Sequence, residues 1–165
     1  MRTVSILLLL SLTACGTCRT TCDFYVDNVC IVSNGLDIDP ELVALTFREV
    51  EARFEPRTVV ADAALELELS VSFVTNADTQ GEYSNRLDWT EGMGGECITV
   101  QWTPSCRFLY GALGHETIHY LFDYHDIDDD HNTPGVWMDG PNRREDSIEF
   151  EIFDSMHEHC QAVGK

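Results

Sequence analysis

Apolar residues recur at the spacing of one α-helical face in the segment that begins at Asp39. Four of these residues are separated by four, three and four positions: Val43, Phe47, Val50 and Phe54. Asp39 can accept a hydrogen bond from a free N–H group of the first turn, and Pro40 suits the first helical position. Pro56 is not tolerated inside a helix. The pattern therefore predicts a packing helix that starts at residue 40 and stops before Pro56.

Two further runs show helical spacing of apolar residues. Residues 108–122 carry almost no charge and place Leu109, Leu113, Ile118 and Leu121 at intervals compatible with a buried helix. Residues 142–160 contain a stripe with a four-residue period, formed by Ile148, Ile152 and Met156. We expect a buried helix in the first run and a final, core-facing helix in the second.

Three segments show strand patterns instead. Residues 24–32 are rich in β-branched and aromatic side chains, and Asp27-Asn28 either turns them into a hairpin or leaves one continuous strand. Residues 65–73 alternate apolar side chains with glutamate and serine, which predicts a strand with one solvated face. Residues 98–102 alternate in the same way.

Between the last two strands, residues 75–95 are polar and rich in glycine. They predict a long loop, with or without a short edge strand, and loops of this length are often functional. Taken in order, the elements predict an α+β fold. A small mixed sheet would pack against the helix at 108–122 and two further helices.

The helix at 108–122 contains candidate chemistry in the string His115-Glu116-Thr117-Ile118-His119. Positions i and i+4 share one helix face, so both imidazoles can reach one metal ion, and Zn²⁺ takes neutral imidazole nitrogens. Glu116 stands beside them and can take a proton from a zinc-bound water. The structural alternative is a surface helix with two incidental histidines.

A catalytic zinc site needs a third protein ligand, with water in the fourth position. His125 follows His119 by six residues, and His131 follows an acidic loop. A glutamate of the last helix, Glu145 or Glu149, is the remaining candidate. The residues leave these three alternatives open.

The stretch from Gly114 to His125 resembles the metzincin group of zincin metallopeptidases, whose motif is H-E-x-x-H-x-x-G-x-x-H followed by a Met-turn. The resemblance implies His125 as third ligand and Met138 as the methionine beneath the metal. Phe122 stands where the family has its hinge glycine. This departure keeps His131 in place as the alternative third ligand.

The N-terminus has the features of an exported lipoprotein. Arg2 precedes an apolar run that is too short to span a bilayer, and the run ends in Leu12-Thr13-Ala14-Cys15. That string resembles a bacterial lipobox, which implies cleavage before Cys15 and lipidation of Cys15. The predicted organisation is a signal peptide (1–14), a lipidated tether (15–22) and a zincin-like domain (23–165).

Export agrees with the cysteine count. Of seven cysteines, six remain after Cys15 is assigned to lipid, and an even set in an exported domain predicts three disulfides. A bridge between Cys97 and Cys106 would brace the metal helix, and Cys160 would reach the cysteines near the N-terminus. The mature chain has nine basic and 29 acidic residues, a net charge of −20. Such a field repels phosphate backbones and argues against nucleic-acid binding.

These features predict a zinc-dependent peptidase that hydrolyses peptide or protein substrates at the bacterial cell envelope, with a membrane anchor at Cys15. An alternative hypothesis is a non-catalytic envelope lipoprotein whose zinc only stabilises the fold. A third is a lipoprotein without metal that is held by disulfides alone. The substrate, its specificity and the oligomeric state are not encoded in any pattern of the sequence.

Overall fold

The structure, a computed structural model, describes residues 21–66, 68–75, 81–86, 95–127, 131, 133–138 and 147–165. The predicted signal peptide and Cys15 lie outside these residues. The elements in chain order are β1 (Phe24–Val26), β2 (Val29–Val32), α1 (Pro40–Arg53), α2 (Val60–Glu66), β3 (Leu69–Val74), β4 (Gly81–Arg86), β5 (Gly95–Gln101), α3 (Cys106–Tyr124) and α4 (Ile148–Ala162).

The strands form one mixed sheet in the order β1-β2-β3-β5-β4. β2, β3 and β5 run parallel, whereas β1 and β4 pair antiparallel with their neighbours. Asp27 and Asn28 join β1 to β2 with φ angles of 46° and 68°, the left-handed conformation that a two-residue hairpin turn requires. The hairpin alternative and the predicted α+β class with a mixed sheet are both confirmed.

Helix α1 forms as its sequence predicts. The Asp39 carboxylate accepts the N–H of Glu41 at 3.0 Å, and Pro40 occupies the first turn. The four residues of the predicted face, Val43, Phe47, Val50 and Phe54, are all buried. Local capping and periodicity are sufficient here because packing and propensity favour the same structure.

The predicted strand at 65–73 is wrong in its first part. Leu65 belongs to helix α2, where its side chain is 67% exposed, and β3 starts only at Leu69. The apolar residues Val60, Ala63 and Ala64 are buried at three- and one-residue intervals, a helical spacing that overrides the alternation at Leu65. Helix α3, which carries the H-E-x-x-H string, is therefore accompanied by three helices among the described residues, not two.

The segment 75–95 contains the optional edge strand. β4 lies at the end of the sheet, antiparallel to β5, and its first residue Gly81 pairs with Val100. Residues 76–80 and 87–94 lie outside the described part of the chain. The remaining predicted strand is confirmed as β5, in which Ile98 and Val100 are buried, but β5 starts earlier, at Gly95, and ends before Trp102.

Helices α3 and α4 pack closely because two glycines of α3 face α4. A Cβ atom at Gly111 would come within 2.4 Å of the Phe153 ring, and one at Gly114 within 2.6 Å of Ile152. α4 starts at Ile148, later than the predicted residue 142. Ser147 caps this start, and its hydroxyl accepts the N–H of Phe150 at 3.2 Å. Residues 141–146 are not described.

The disulfides correct two expectations. Cys106 pairs with Cys160, so the bridge that braces α3 comes from α4 and not from Cys97. Cys160 therefore does not reach the N-terminal cysteines, of which Cys22 pairs with Cys30. The physical reason is that α4 runs antiparallel to α3, which brings its last turn beside the first turn of α3. Cys97 is also disulfide-bonded.

No helix in the described part of the chain has the length and apolar character needed to cross a membrane.

Candidate metal centre

Two histidines of the metal motif point from α3 to one place. His115 and His119 are one turn apart, and their Nε2 atoms are 3.0 Å from each other. The helix around them is deeply buried, with Leu113, Ile118 and Leu121 wholly enclosed. The buried apolar face thus fixes the direction in which the two imidazoles project.

His131 completes a group of three. Its Nε2 lies 2.9 Å from Nε2 of His119, and one ligand atom from each of the three histidines lies within 4.8 Å of the others. Three converging imidazole nitrogens with no carboxylate among them suit zinc, which takes three protein ligands and leaves a fourth position open in catalytic sites. The donor set therefore fits the ion that the motif implies.

The electrostatics also favour metal ligation. Burial, together with repulsion from the charged forms of His115 and His131, lowers the pKa of His119 to about 3. His119 is consequently neutral at physiological pH, which is the form that binds a metal.

His125 lies elsewhere. It caps the C-terminus of α3, where its ring stacks on Phe54 at a centroid distance of 6.2 Å and its Nε2 shares a short hydrogen bond with the Thr58 hydroxyl. The helix continues unbroken through Phe122, so His125 stands six residues beyond His119, about 9 Å along the axis. The structure does not bring His125 into the histidine group, and it does bring in His131, the alternative.

The indole ring of Trp137 contacts all three histidines. Trp137, 2% exposed, packs against His115, His119 and His131 with ring centroids 4.9, 4.6 and 4.5 Å away. Its indole Nε1 is buried and has no hydrogen-bond partner in the part of the chain that is described. Sequence analysis missed Trp137. The available signal was an aromatic residue two positions after Gly135 in the Pro134-Gly135 turn.

Met138, the Met-turn candidate, contributes its backbone to the site. Its N–H donates to Oε2 of Glu149 at 2.6 Å. Met138 is thus linked to His115 through Glu149, and its neighbour Trp137 supplies the ring contacts with the histidines.

Glu149 lies behind His115 rather than among the ligand atoms. Its Oε1 is 2.8 Å from Nδ1 of His115, the ring nitrogen opposite to the one that faces His119. Burial raises the pKa of this carboxyl, but hydrogen bonds from His115 and Met138 outweigh burial and hold the pKa below its usual value. Glu149 is therefore an ionised, buried carboxylate. Glu145, the other glutamate considered as a ligand, lies outside the described residues.

Glu116 lies at the side of the group that faces the sheet. It is 6% exposed, and its Oε1 is 3.9 Å from Nε2 of His115. The first residue of β4 packs on it so closely that a Cβ atom at Gly81 would be 2.5 Å from Oε1 of Glu116. Gly81 was missed by sequence analysis because nothing local links residue 81 to residue 116.

Neither family models, curated proteins nor solved structures match the chain. The function must therefore be argued from this site alone. The site combines three imidazole nitrogen donors with a buried carboxylate a few ångströms from one of them. That combination can hold a Lewis-acidic ion and place a proton acceptor beside it.

Proposed function

We propose that the protein is a zinc-dependent peptidase, with His115, His119 and His131 as metal ligands and Glu116 as general base. The observation that carries the proposal is the convergence of three imidazoles next to the Glu116 carboxylate. Two of the histidines and the glutamate belong to one helical motif, and the third comes from a loop.

The chemistry divides between the ion and the chain. Zinc, when bound, lowers the pKa of a water molecule and polarises a carbonyl group. Glu116 accepts the proton of the attacking water as the new C–O bond forms. It then delivers this proton to the amine as the C–N bond breaks. Burial of Glu116 against Gly81 keeps its carboxylate in one position for both transfers.

The position of β4 supports a polypeptide substrate. β4 ends the sheet, and its first residue contacts Glu116. A terminal strand can pair its backbone with an extended peptide, which would lay that peptide beside the carboxylate. An exposed scissile bond in an unfolded segment or loop is the substrate class that suits this arrangement.

The proposal includes export and lipid anchoring at Cys15, with the enzyme held at the bacterial cell envelope. The lipobox-like string supports it, as do the disulfides Cys22–Cys30 and Cys106–Cys160, since disulfides persist in oxidising compartments. Incorporation of labelled palmitate in the wild type and its loss in Cys15→Ala would test the anchor separately from the activity.

The test of the enzyme combines zinc content with hydrolysis of casein and of a pool of random fluorogenic peptides. We expect one zinc per chain in the wild type and in Glu116→Gln, with hydrolysis only in the wild type. His119→Ala and His131→Ala should lose zinc. His125→Ala is the matched control, because it removes a histidine next to α3 that lies outside the group, and it should keep zinc.

Other outcomes would reject parts of the proposal. Zinc in the wild type without hydrolysis of any probe would favour the non-catalytic lipoprotein with a structural metal. Full hydrolysis by Glu116→Gln would exclude Glu116 as the base. A wild type that takes up no zinc after reconstitution would leave a lipoprotein held by disulfides as the better hypothesis.

A further inference from the structure

Glu149 uses both of its carboxylate oxygens inside the protein. One oxygen lies 2.8 Å from Nδ1 of His115, and the other accepts the backbone N–H of Met138 at 2.6 Å. The residue is 6% exposed, so solvent replaces neither contact. A buried carboxylate is costly unless it is fully hydrogen-bonded, which indicates that these two contacts are the reason for its position.

The first contact selects the tautomer of His115. Oε2 accepts the Met138 N–H, and Oε1 lies 2.8 Å from Nδ1 of His115, so both oxygens act as acceptors and the proton of the second contact belongs to Nδ1 of the imidazole. In neutral His115, the lone pair is then on Nε2, the atom that faces Nε2 of His119. His115 is thus prepared as a metal ligand.

The second contact joins α4 to the loop under the histidines. Gly135 and Val136 accept the backbone N–H groups of Ile148 and Glu149, each at 2.9 Å. Together with the Met138 N–H, these bonds attach three positions of the loop to the first turn of α4. Trp137 lies within this attached segment, so the same turn of α4 fixes the ring on which the three imidazoles rest.

We infer that Glu149 is a positioning residue of the metal centre, which holds His115 in its Nδ1–H tautomer and secures the loop that carries Trp137. The inference rests on the proposed metal site. The negative charge of the Glu149 carboxylate also offsets part of the charge of a divalent ion bound by three neutral ligands. Carboxylates that orient a ligating histidine typically change metal affinity by about 10–100-fold when they are removed.

The first experiment measures zinc affinity of the full domain by competition with a chromophoric chelator. Glu149→Gln keeps the size of the side chain, but it places an NH₂ donor against either His115 Nδ1 or the Met138 N–H. We expect its zinc affinity to fall about 10–100-fold. Glu151→Gln is the matched control. Glu151 is in the same first turn of α4 but is exposed and pairs with Arg53, so its loss should leave zinc affinity unchanged.

A second measurement needs no variant. Two-bond ¹H–¹⁵N correlation spectra of the zinc-free wild type report which ring nitrogen of His115 carries the proton, and we expect Nδ1. A purely structural role for Glu149 would not determine this tautomer. In Glu149→Gln the signal should move toward the other tautomer or toward a mixture.

The outcomes separate this inference from the proposed function. A wild type that fails to bind zinc rejects the metal site itself. If Glu149→Gln binds zinc as tightly as the wild type, the role of Glu149 is overturned and the metal site stays intact. The same holds if His115 of the wild type is protonated on Nε2. If Glu149→Gln does not fold, the tautomer of the wild type still decides.

Discussion

Gly81 occupies a position that no larger side chain could take without displacing Glu116. A Cβ atom there would lie 2.5 Å from Oε1 and 2.8 Å from Cγ of Glu116. All the atoms that this Cβ would meet belong to the Glu116 side chain. His131 lies on a loop apart from β4, so the contact concerns the proposed base and not this ligand candidate. The position of the proposed base is therefore set by the absence of one carbon atom on a strand 35 residues away in sequence.

We predict that Gly81→Ala lowers kcat/KM on the peptide that the wild type cleaves best, on the order of 10²-fold, because a shift of about 1 Å misplaces a catalytic group. Its zinc stoichiometry should stay at the wild-type value, since none of the three histidines is altered. Steady-state kinetics together with elemental analysis checks both parts. A variant with wild-type kcat/KM would show that Glu116 can move without loss, and zinc loss would indicate a wider disturbance.

At the scale of elements, the start of α1 joins local and distant contacts. Asp39 caps the helix through the Glu41 N–H, and its other oxygen pairs with Lys165 near the end of the chain at 2.9 Å. The hydrogen bond from Lys165 is the main cause that holds the pKa of Asp39 below its usual value, assisted by the backbone N–H of Glu41. The folded state therefore favours the ionised form more strongly than the unfolded state does.

This shift has a defined pH dependence. A carboxyl whose pKa is lowered by folding adds stability above the unfolded pKa of about 3.9, and this stability is lost as pH falls through the folded value. We expect Asp39→Asn, which can still cap, to be less stable than the wild type at pH 7 by at most about 1 kcal/mol, since the ion pair is at the surface.

The difference between Asp39→Asn and the wild type should shrink as pH falls below about 4. Urea unfolding at several pH values measures it, with exposed Asp37→Asn as the neighbouring control. A difference that stays constant down to pH 2 would contradict the assignment of the effect to the Asp39 charge.

At the scale of the whole molecule, two features hold α4 against α3. Gly111 and Gly114 permit the close approach of Phe153 and Ile152, and the Cys106–Cys160 bridge ties the outer ends of the two helices. This close packing of α4 on α3 places Glu149 within hydrogen-bond distance of His115. The proposed metal site thus depends on the packing of a helix that contributes no proposed ligand.

We predict that replacing both Cys106 and Cys160 by alanine lowers the free energy of unfolding by about 4 kcal/mol, from the loop entropy of a bridge that spans 54 residues. The same model gives about 2.5 kcal/mol for Cys22–Cys30, which spans 8. Denaturant unfolding of the two double variants compares them directly. An equal or reversed order would mean that native-state contacts, and not chain entropy, dominate the effect of these bridges.

Several elements could be predicted from the sequence because their signals are local. The cap at Asp39 and the three- and four-residue spacing of the α1 face each act within a few residues, and the structure confirms both. Of the two alternatives at Asp27-Asn28, it confirms the hairpin turn. The H-E-x-x-H string similarly requires only that α3 is a helix for His115 and His119 to meet. Around Leu65 the alternation predicted a strand, and the prediction was wrong there because Val60, Ala63 and Ala64 are buried on one face of a helix.

The sequence by itself thus determined the α+β class, the helix α3 and its pair of imidazoles, because helix periodicity and turn chemistry depend on neighbours along the chain. Only the tertiary structure decided that His131 and not His125 joins the pair, that Trp137 lies beneath it, that Glu149 faces His115 from behind, and that Cys106 meets Cys160. Each of these contacts joins residues from different elements. They depend on how helices pack and loops close, and no short-range spacing encodes that geometry.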